Sequence, residues 1–373
     1  MAADDTALRR LIDRVLAARA DRTALEIRGG GSKSFYGGVP SGEPLELHEL
    51  AGISSYEPTE LVVTVRAGTP LAELEAVLAE KGQGLAFEPP RFALGGKAVG
   101  SVGGMVAAGL SGPSRACAGS VRDHVLGATL LNGRGELLSF GGQVMKNVAG
   151  YDVSRLLAGS MGVLGVICEV SLKVLPQATA SATLRFEMDE ARALNQLQRW
   201  GGQPLPIDAS AWHRGQLTLR LAGAGAAVSA ACTRLGGERV EQTAAAAWWA
   251  EVRDQRHAFF RLGDGDQAEG EALWRLSLPS TAPPLVLARA LPADGFIEWG
   301  GAQRWWRGRT ADAASVREAA AAVGGHATLF RGRDKSHGVF APLAPTLLRI
   351  HRGLKQAFDP EGLFNPGRLY AEL

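Results

Sequence analysis

The chain has 373 residues, 46% of them hydrophobic, with a formal net charge of +2. That length exceeds one small core and suits two domains, and so even a charge balance gives no electrostatic footprint for nucleic acid. The three scattered cysteines, Cys117, Cys168 and Cys232, are no disulfide framework and too few for the four thiolates of an iron–sulfur cluster; they read as buried free thiols in a reducing compartment.

The N-terminus, Met1-Ala-Ala-Asp-Asp, lacks the basic n-region and apolar core of a signal peptide. No apolar run reaches transmembrane length, the longest being Ala244 to Ala250 between Glu241 and Glu251. The expectation is a cytoplasmic protein, held at a membrane only through partners. Leu8, Leu11, Ile12, Val15 and Leu16 recur at helical spacing and predict an opening amphipathic helix. Arg28 to Gly38 is glycine-rich. Leu61-Val-Val-Thr-Val65 is β-branched and predicts a strand. Thr69 and Pro70 suit the cap and first turn of a helix with Leu71, Leu74, Val77 and Leu78 inward, ended by Gly82. Glycines thicken again from Gly95 to Gly119. Val125 to Leu138 predicts a hairpin around Asn132-Gly133. Val166 to Val174 alternates apolar residues with Glu169, Ser171 and Lys173, the pattern of a half-buried strand.

Pro176 closes this block, and composition then shifts: every tryptophan lies from Trp200 onward. The second part mixes strand-like runs (Gln216 to Leu221, Leu273 to Leu278, Leu285 to Ala290) with Ala-rich helices (Ala226 to Leu235, Thr310 to Val323), an α+β pattern. Its tryptophans, Trp248, Trp249, Trp305 and Trp306 among them, suit a core or a partner interface.

Three segments carry chemistry. In Ile27-Arg-Gly-Gly-Gly-Ser32 successive glycines let several N–H groups converge on one anion; alone it is equally a glycine-rich turn. Gly100-Ser-Val-Gly-Gly-Met-Val-Ala-Ala-Gly109 permits close backbone approach to a flat ring or a phosphate, or equally tight helix–strand packing. Lys146 to Asp152, then Leu156 to Gly165, adds two more turns running into a strand, with Lys146 and Asp152 by themselves a solvated pair.

Together and in this order, the segments resemble the FAD-binding domain of the vanillyl-alcohol-oxidase and p-cresol-methylhydroxylase (PCMH) type. The resemblance implies an α+β fold: a two-subdomain PCMH-type domain over 1–176, an α+β FAD-linked-oxidase-like domain over 177–349, and a tail over 350–373 that returns to the first domain. It implies that Arg28, Gly29, Gly30, Gly31 and Ser32 hold the diphosphate, and that Gly100, Ser101, Gly103, Gly104 and Gly109 lie against the flavin. Gly159, Ser160, Gly162, Gly165, Val166 and Ile167 would complete the cradle near the adenosine. Pro90, in Glu88-Pro-Pro, stands in the family's proline loop. Gly119, Arg122, Asp123, Val125 and Gly127 match its Gly-x-x-Arg-Asp-x-Val-x-Gly stretch, which adds Asp123 to the cofactor set. Phe358-Asp-Pro-Glu-Gly-Leu-Phe-Asn-Pro-Gly-Arg368 resembles the ending of FAD-linked oxidases. The FAD is expected to be non-covalent, because Ser32 stands where covalently flavinylated relatives often have histidine and nothing positions Cys117 for attachment.

One departure bears on function. Catalytic D-hydroxyacid relatives carry His-x-Gly-Asp-Gly-Asn-x-His; here Gly263-Asp-Gly-Asp266 has no histidine beside it. His326, His337 and Arg331 are the remaining catalytic candidates, the histidines more simply structural or surface residues; no metal site is expected. Arg304, Arg307, Arg331 and Arg333 are available as a carboxylate clamp. Gly-Gly-His-Ala-Thr-Leu-Phe-Arg331 resembles the small flavin (E) subunits of bacterial glycolate oxidases. That resemblance implies an FAD-dependent oxidoreductase subunit acting on a 2-hydroxy acid, converting glycolate to glyoxylate with a larger flavin subunit and an iron–sulfur subunit, and reaching the inner face of a membrane only through them. A self-sufficient FAD-dependent 2-hydroxyacid dehydrogenase and a scaffold with an empty flavin site are the alternatives. No Rossmann fingerprint or nucleophile elbow is present.

Overall fold

The structure, a computed structural model, describes residues 5–94, 97–142, 152–263, 270–285 and 295–373. The segment around Lys146, most of the run from Leu285 to Ala290, and Asp264 to Asp266 of the Gly-Asp-Gly-Asp stretch therefore lie outside the described residues.

Asp5 starts the first helix, Thr6–Asp21, by accepting from the Leu8 N–H at 3.2 Å. Its periodic face buries Leu8, Leu11 and Val15 against Leu25, Leu45, Val166 and Phe364. The chain then forms the strand Leu25–Arg28, which runs parallel to Glu43–Glu46 and is bridged on its other side by Phe364 of the tail. A five-stranded antiparallel sheet follows, in the order Ile53–Glu57, Val62–Arg66, Val166–Lys173, Val125–Leu131 and Leu137–Gly141. Helices Leu71–Glu80 and Val102–Ala108 cover it with Leu71, Leu74, Leu78, Met105 and Val106.

Three local expectations are corrected. Val166–Lys173 is more than half-buried: only Glu169 and Lys173 stay partly exposed, and Ser171 is buried with its hydroxyl 2.8 Å from that of Thr64. Thr69 does not cap the helix that follows; its hydroxyl donates to the carbonyls of Arg66 and Gly52, leaving Pro70 at the cap position. Cys117 is exposed, not buried, while Cys168 is buried as expected.

Residues 180–332 build an eight-stranded antiparallel sheet, ordered Glu238–Val240, Ala180–Glu187, Gln216–Gly223, Ile207–His213, Gly295–Glu298, Gln303–Arg309, Glu271–Ser277 and His326–Gly332. Helices on one face bury Trp200, Trp212 and Trp274. On the other face Phe296, Trp305 and Phe330 pack with Tyr36, Leu110 and Met161 of the glycine-rich segments. Six of the tryptophans, Trp200, Trp212, Trp249, Trp274, Trp299 and Trp305, are thus core residues. The glycine-rich segments lie where the two sheets meet.

The tail closes the molecule. Helix Pro345–Phe358 delivers Lys355, whose ammonium donates to the carbonyls of Val163 and Phe364 and to Asp359. Asn365 then accepts from the Ile27 N–H at 2.8 Å and donates to the Met161 carbonyl at 2.7 Å. One side chain ties the first strand to the turn at Ser160–Gly162.

Candidate functional site

A cavity of about 800 Å³ opens where these elements converge. One wall is Arg28 to Ser34; the opposite wall is Ser101, Gly103, Gly104, Ala107 and Ala108; Met161, Gly162, Gly165 and Ile167 form a third, with Asn365 and Arg368 from the tail. Ser101 is placed by capping the helix Val102–Ala108, accepting from the Gly104 N–H at 3.3 Å. The glycines allow the walls to approach. A Cβ on Gly30 would lie 1.2 Å from the Val99 carbonyl oxygen, and one on Gly29 2.0 Å from Ser101 Oγ. Gly31 differs: it has φ +68° and only Ser34 Oγ within 4 Å of a Cβ, at 3.9 Å, so its requirement is the left-handed backbone.

The electrostatics of this cavity are those of an anion site. Among the described residues, the N–H groups of Gly29, Gly30, Gly31, Ser32 and Lys33 donate to no protein acceptor. Five successive free donors on a glycine-rich turn make a concave nest of positive potential. Lys33 adds an ammonium whose sole hydrogen-bond partner among those residues is Ser32 Oγ, at 3.4 Å, and burial pushes it down to about 8. Arg28, by contrast, spends its guanidinium on Glu26 at 2.7 Å.

A second cavity, of about 1270 Å³, shares Gly31, Ser32 and Ser34 with the first. It is lined by Phe35, Phe92, Arg91, Arg256, Arg331 and Arg333, with Asp254 and Glu271. Arg331 stacks on Phe35 and Phe92 at 4.7 and 5.5 Å, donates to the Phe260 carbonyl at 3.3 Å, and has no carboxylate partner among the described residues. Burial lowers it to about 10, so it stays charged at neutral pH.

Of the residues expected at the cofactor, Arg28, Gly29, Gly30, Gly31, Ser32, Ser101, Gly103, Gly104, Gly162, Gly165 and Ile167 line the first cavity. Pro90, Gly100, Gly109, Asp123, Gly159, Ser160 and Val166 do not. Gly109 packs on Gly159, where a Cβ would stand 2.9 Å from its backbone. Asp123 closes the capping box of the helix Val121–His124 through Ser120, whose N–H holds its carboxyl below the usual range. Val166 is core. His326 and His337 are exposed and line neither cavity. The sequence reading missed Lys33, Lys335, Asn365 and Arg368. The Asn-Pro-Gly-Arg tail signalled the last two; nothing local signalled Lys335. Among the described residues no group of three or more His, Cys, Asp or Glu is placed to hold a metal ion, and no helix is long and apolar enough to cross a membrane.

Residues 8–141 match the family model described as FAD binding domain. Glycolate oxidase subunit GlcE of Escherichia coli strain K12 is 47% identical over 97% of this chain and 97% of its own length. The chain belongs to the GlcE family. Through its FAD-binding domain it is a flavoprotein of the FAD-dependent oxidoreductases. The identity with GlcE extends across both sheets, whereas two further relatives share only a part. D-lactate dehydrogenase of Anaerostipes hadrus is 36% identical over 39% of this chain and 29% of its own. Glycolate oxidase subunit GlcD of Bacillus subtilis is 28% identical over 46% of this chain and 36% of its own. Alkyldihydroxyacetonephosphate synthase has the same fold, with a TM-score of 0.65 at 15% identity, covering 96% of this chain and 75% of that one.

Proposed function

We propose that the chain is the FAD-binding subunit of a glycolate oxidase complex, oxidising glycolate to glyoxylate together with a larger flavin subunit and an iron–sulfur subunit. The observation that carries this reading is the end-to-end identity of 47% with GlcE. The cavity suits the cofactor: the five free N–H donors of Gly29 to Lys33 and the Lys33 ammonium offer a diphosphate neutralisation and hydrogen bonds together.

In this reading Gly29 to Lys33 and the Ser32 hydroxyl hold the diphosphate. Ser101, Gly103 and Gly104 bound the flavin side, and Gly162, Gly165, Ile167 and Asn365 the adenosine side. When bound, FAD supplies a two-electron acceptor that can release its electrons singly. Arg331, charged and stacked beside the shared wall, is suited to orient a carboxylate in the second cavity, and a guanidinium is a poor base. Among the described residues neither cavity offers a histidine to take the hydroxyl proton of a 2-hydroxy acid. We therefore assign turnover to the assembled complex, and any membrane contact to its partners. We divide the chain into units 1–176, 177–349 and 350–373, the tail serving the first.

We also infer that the FAD is not covalently attached. Ser32 is no flavin-linking residue, and the Cys117 thiol points to the Ile207 carbonyl, 2.9 Å away, outside both cavities. The test is purification of the chain followed by acid precipitation. The expected result is yellow protein whose flavin is all released to the supernatant. Protein that takes up no added FAD would leave an empty scaffold, and a yellow pellet would overturn the non-covalent assignment.

A further inference from the structure

The loop behind the nest has an arrangement that neither the family nor the proposed activity assigns. Its carbonyls, six in a row from Lys33 to Gly38, are all taken by two cations from distant parts of the chain. Arg368 donates to Ser34 at 3.2 Å, Tyr36 at 2.6 Å, Lys33 at 3.5 Å, and Gly38. Lys335 donates to the two between, Phe35 at 2.9 Å and Gly37 at 2.7 Å. Arg368 belongs to the tail. Lys335 belongs to the loop that follows strand His326–Gly332 of the eight-stranded sheet, and Arg317 braces that loop by donating to the carbonyls of His337 and Gly338.

Within one peptide unit the carbonyl of one residue and the N–H of the next point opposite ways, so the carbonyls of Lys33 to Gly38 belong to the stretch that directly follows the donors of Gly29 to Lys33. Glycine-rich segments also lose the most conformational freedom on ordering. A loop such as Gly29 to Gly38 is therefore a poor nest unless something anchors it. Two cations on the stretch next to the donors anchor it and add positive potential to the loop.

We propose that Lys335 is a positioning residue for the cofactor loop: with Arg368 it takes up the carbonyls of the stretch that directly follows the nest, anchoring the C-terminal end of the Gly29 to Lys33 donors toward an anionic ligand, and it thereby couples retention of that ligand to the eight-stranded sheet. Both cations being desolvated, with Lys335 lowered to about 8 by burial and then by Arg368, fits a buried brace. The ligand is the FAD diphosphate, so the inference rests on the cofactor reading above.

The test uses full-length protein stripped of flavin and titrated with FAD, read by quenching of flavin fluorescence, beside a melting curve of the stripped protein. Lys335→Met removes the donors and keeps the stem; Lys335→Arg keeps the charge. Leu276→Ala is the control for plain destabilisation, since Leu276 lies in the cluster under helix Ala313–Ala322, which holds no residue of the loop. Expected are a rise of tenfold or more in the FAD dissociation constant for Lys335→Met, recovery to within about threefold for Lys335→Arg, and a lowered Tm with unchanged affinity for Leu276→Ala. Lys335→Met binding FAD within twofold of wild type would overturn the brace, as would an equal affinity loss in Leu276→Ala. Wild-type protein that binds no FAD would instead overturn the cofactor reading, and the brace with it.

Discussion

Glu298 shows how burial alone can set a residue's behaviour in this molecule. Its carboxyl accepts from Trp305 Nε1 at 2.6 Å and Gln303 Nε2 at 3.0 Å, both neutral donors, and no cation pairs with it among the described residues. Burial pushes it up to about 7, with those two bonds pulling the other way. The folded protein therefore holds a proton that the unfolded chain, with its carboxyl near the ordinary 4.5, has released. The stability this proton contributes is present below pH 4.5 and lost as pH rises to 7 and beyond. Glu298→Gln keeps an acceptor for both donors and removes the titration. Urea unfolding at pH 5 and pH 8 should show the variant gaining on wild type by roughly 2 to 3 kcal/mol across that interval, following 1.36 kcal/mol per pKa unit. A difference that is the same at both pH values would mean that Glu298 is charged in the fold. Lys33, Lys335 and Arg331 feel the same burial, but each stands beside a cavity or a row of carbonyls, and there a retained positive charge has something to bind.

At the scale of elements, the glycine segments divide by geometry into two kinds of requirement. Gly29 and Gly30 are small because the cofactor loop lies directly on residues 99–101, while Gly31 is glycine because its backbone is left-handed. Gly30→Val should drive a methyl into the Val99 carbonyl, separate the two walls and lose both flavin and stability, the latter by about 1–3 kcal/mol or more. Gly31→Ala meets open space and carries a left-handed penalty of about 1 kcal/mol, so its Tm should fall by much less. Flavin absorbance per chain and thermal melts check both; equal Tm losses would contradict the packing account. The order and composition of the three segments were legible because close approach of backbone to backbone or to a ligand demands small residues wherever it occurs. Which glycine packs and which faces the cavity was not, because that depends on the wall opposite. Gly109 and Gly159 look like cradle residues in sequence and turn out to press on each other. The central strand misled for a related reason: alternation at Glu169, Ser171 and Lys173 signals one wet face, but Ser171 is buried there beside Thr64, its hydroxyl partner on the neighbouring strand. Lys335 was invisible, since its carbonyl partners lie 298 and 300 residues away and a lysine in a polar loop has no local signature.

At the scale of the whole molecule, the two sheets enclose an anion nest and a cation-lined cavity that share one wall, with the tail sealing the first. Oxidation of a 2-hydroxy acid needs a carboxylate holder, an electron acceptor and a base for the hydroxyl proton. In the proposed reading Arg331 and FAD cover the first two, and among the described residues no histidine lines either cavity to supply the third. His326 stands at the start of strand His326–Gly332 and Arg331 five residues on, roughly 17 Å along an extended strand; His337 is exposed beyond the strand's end. Neither histidine lines the cavity that Arg331 lines. The isolated chain should therefore reduce a dye with glycolate or D-lactate no faster than free flavin, and turnover should appear when the larger flavin subunit and the iron–sulfur subunit are co-expressed with it. His326→Ala and His337→Ala should leave the rate of that complex within twofold of wild type, whereas Lys335→Met, by loosening the cofactor, should lower it and be partly rescued by excess FAD. Steady-state dye reduction by the chain alone and by the complex decides the matter: turnover by the chain alone, abolished by His326→Ala or His337→Ala, would make it a self-sufficient dehydrogenase whose base the folded cavities do not display.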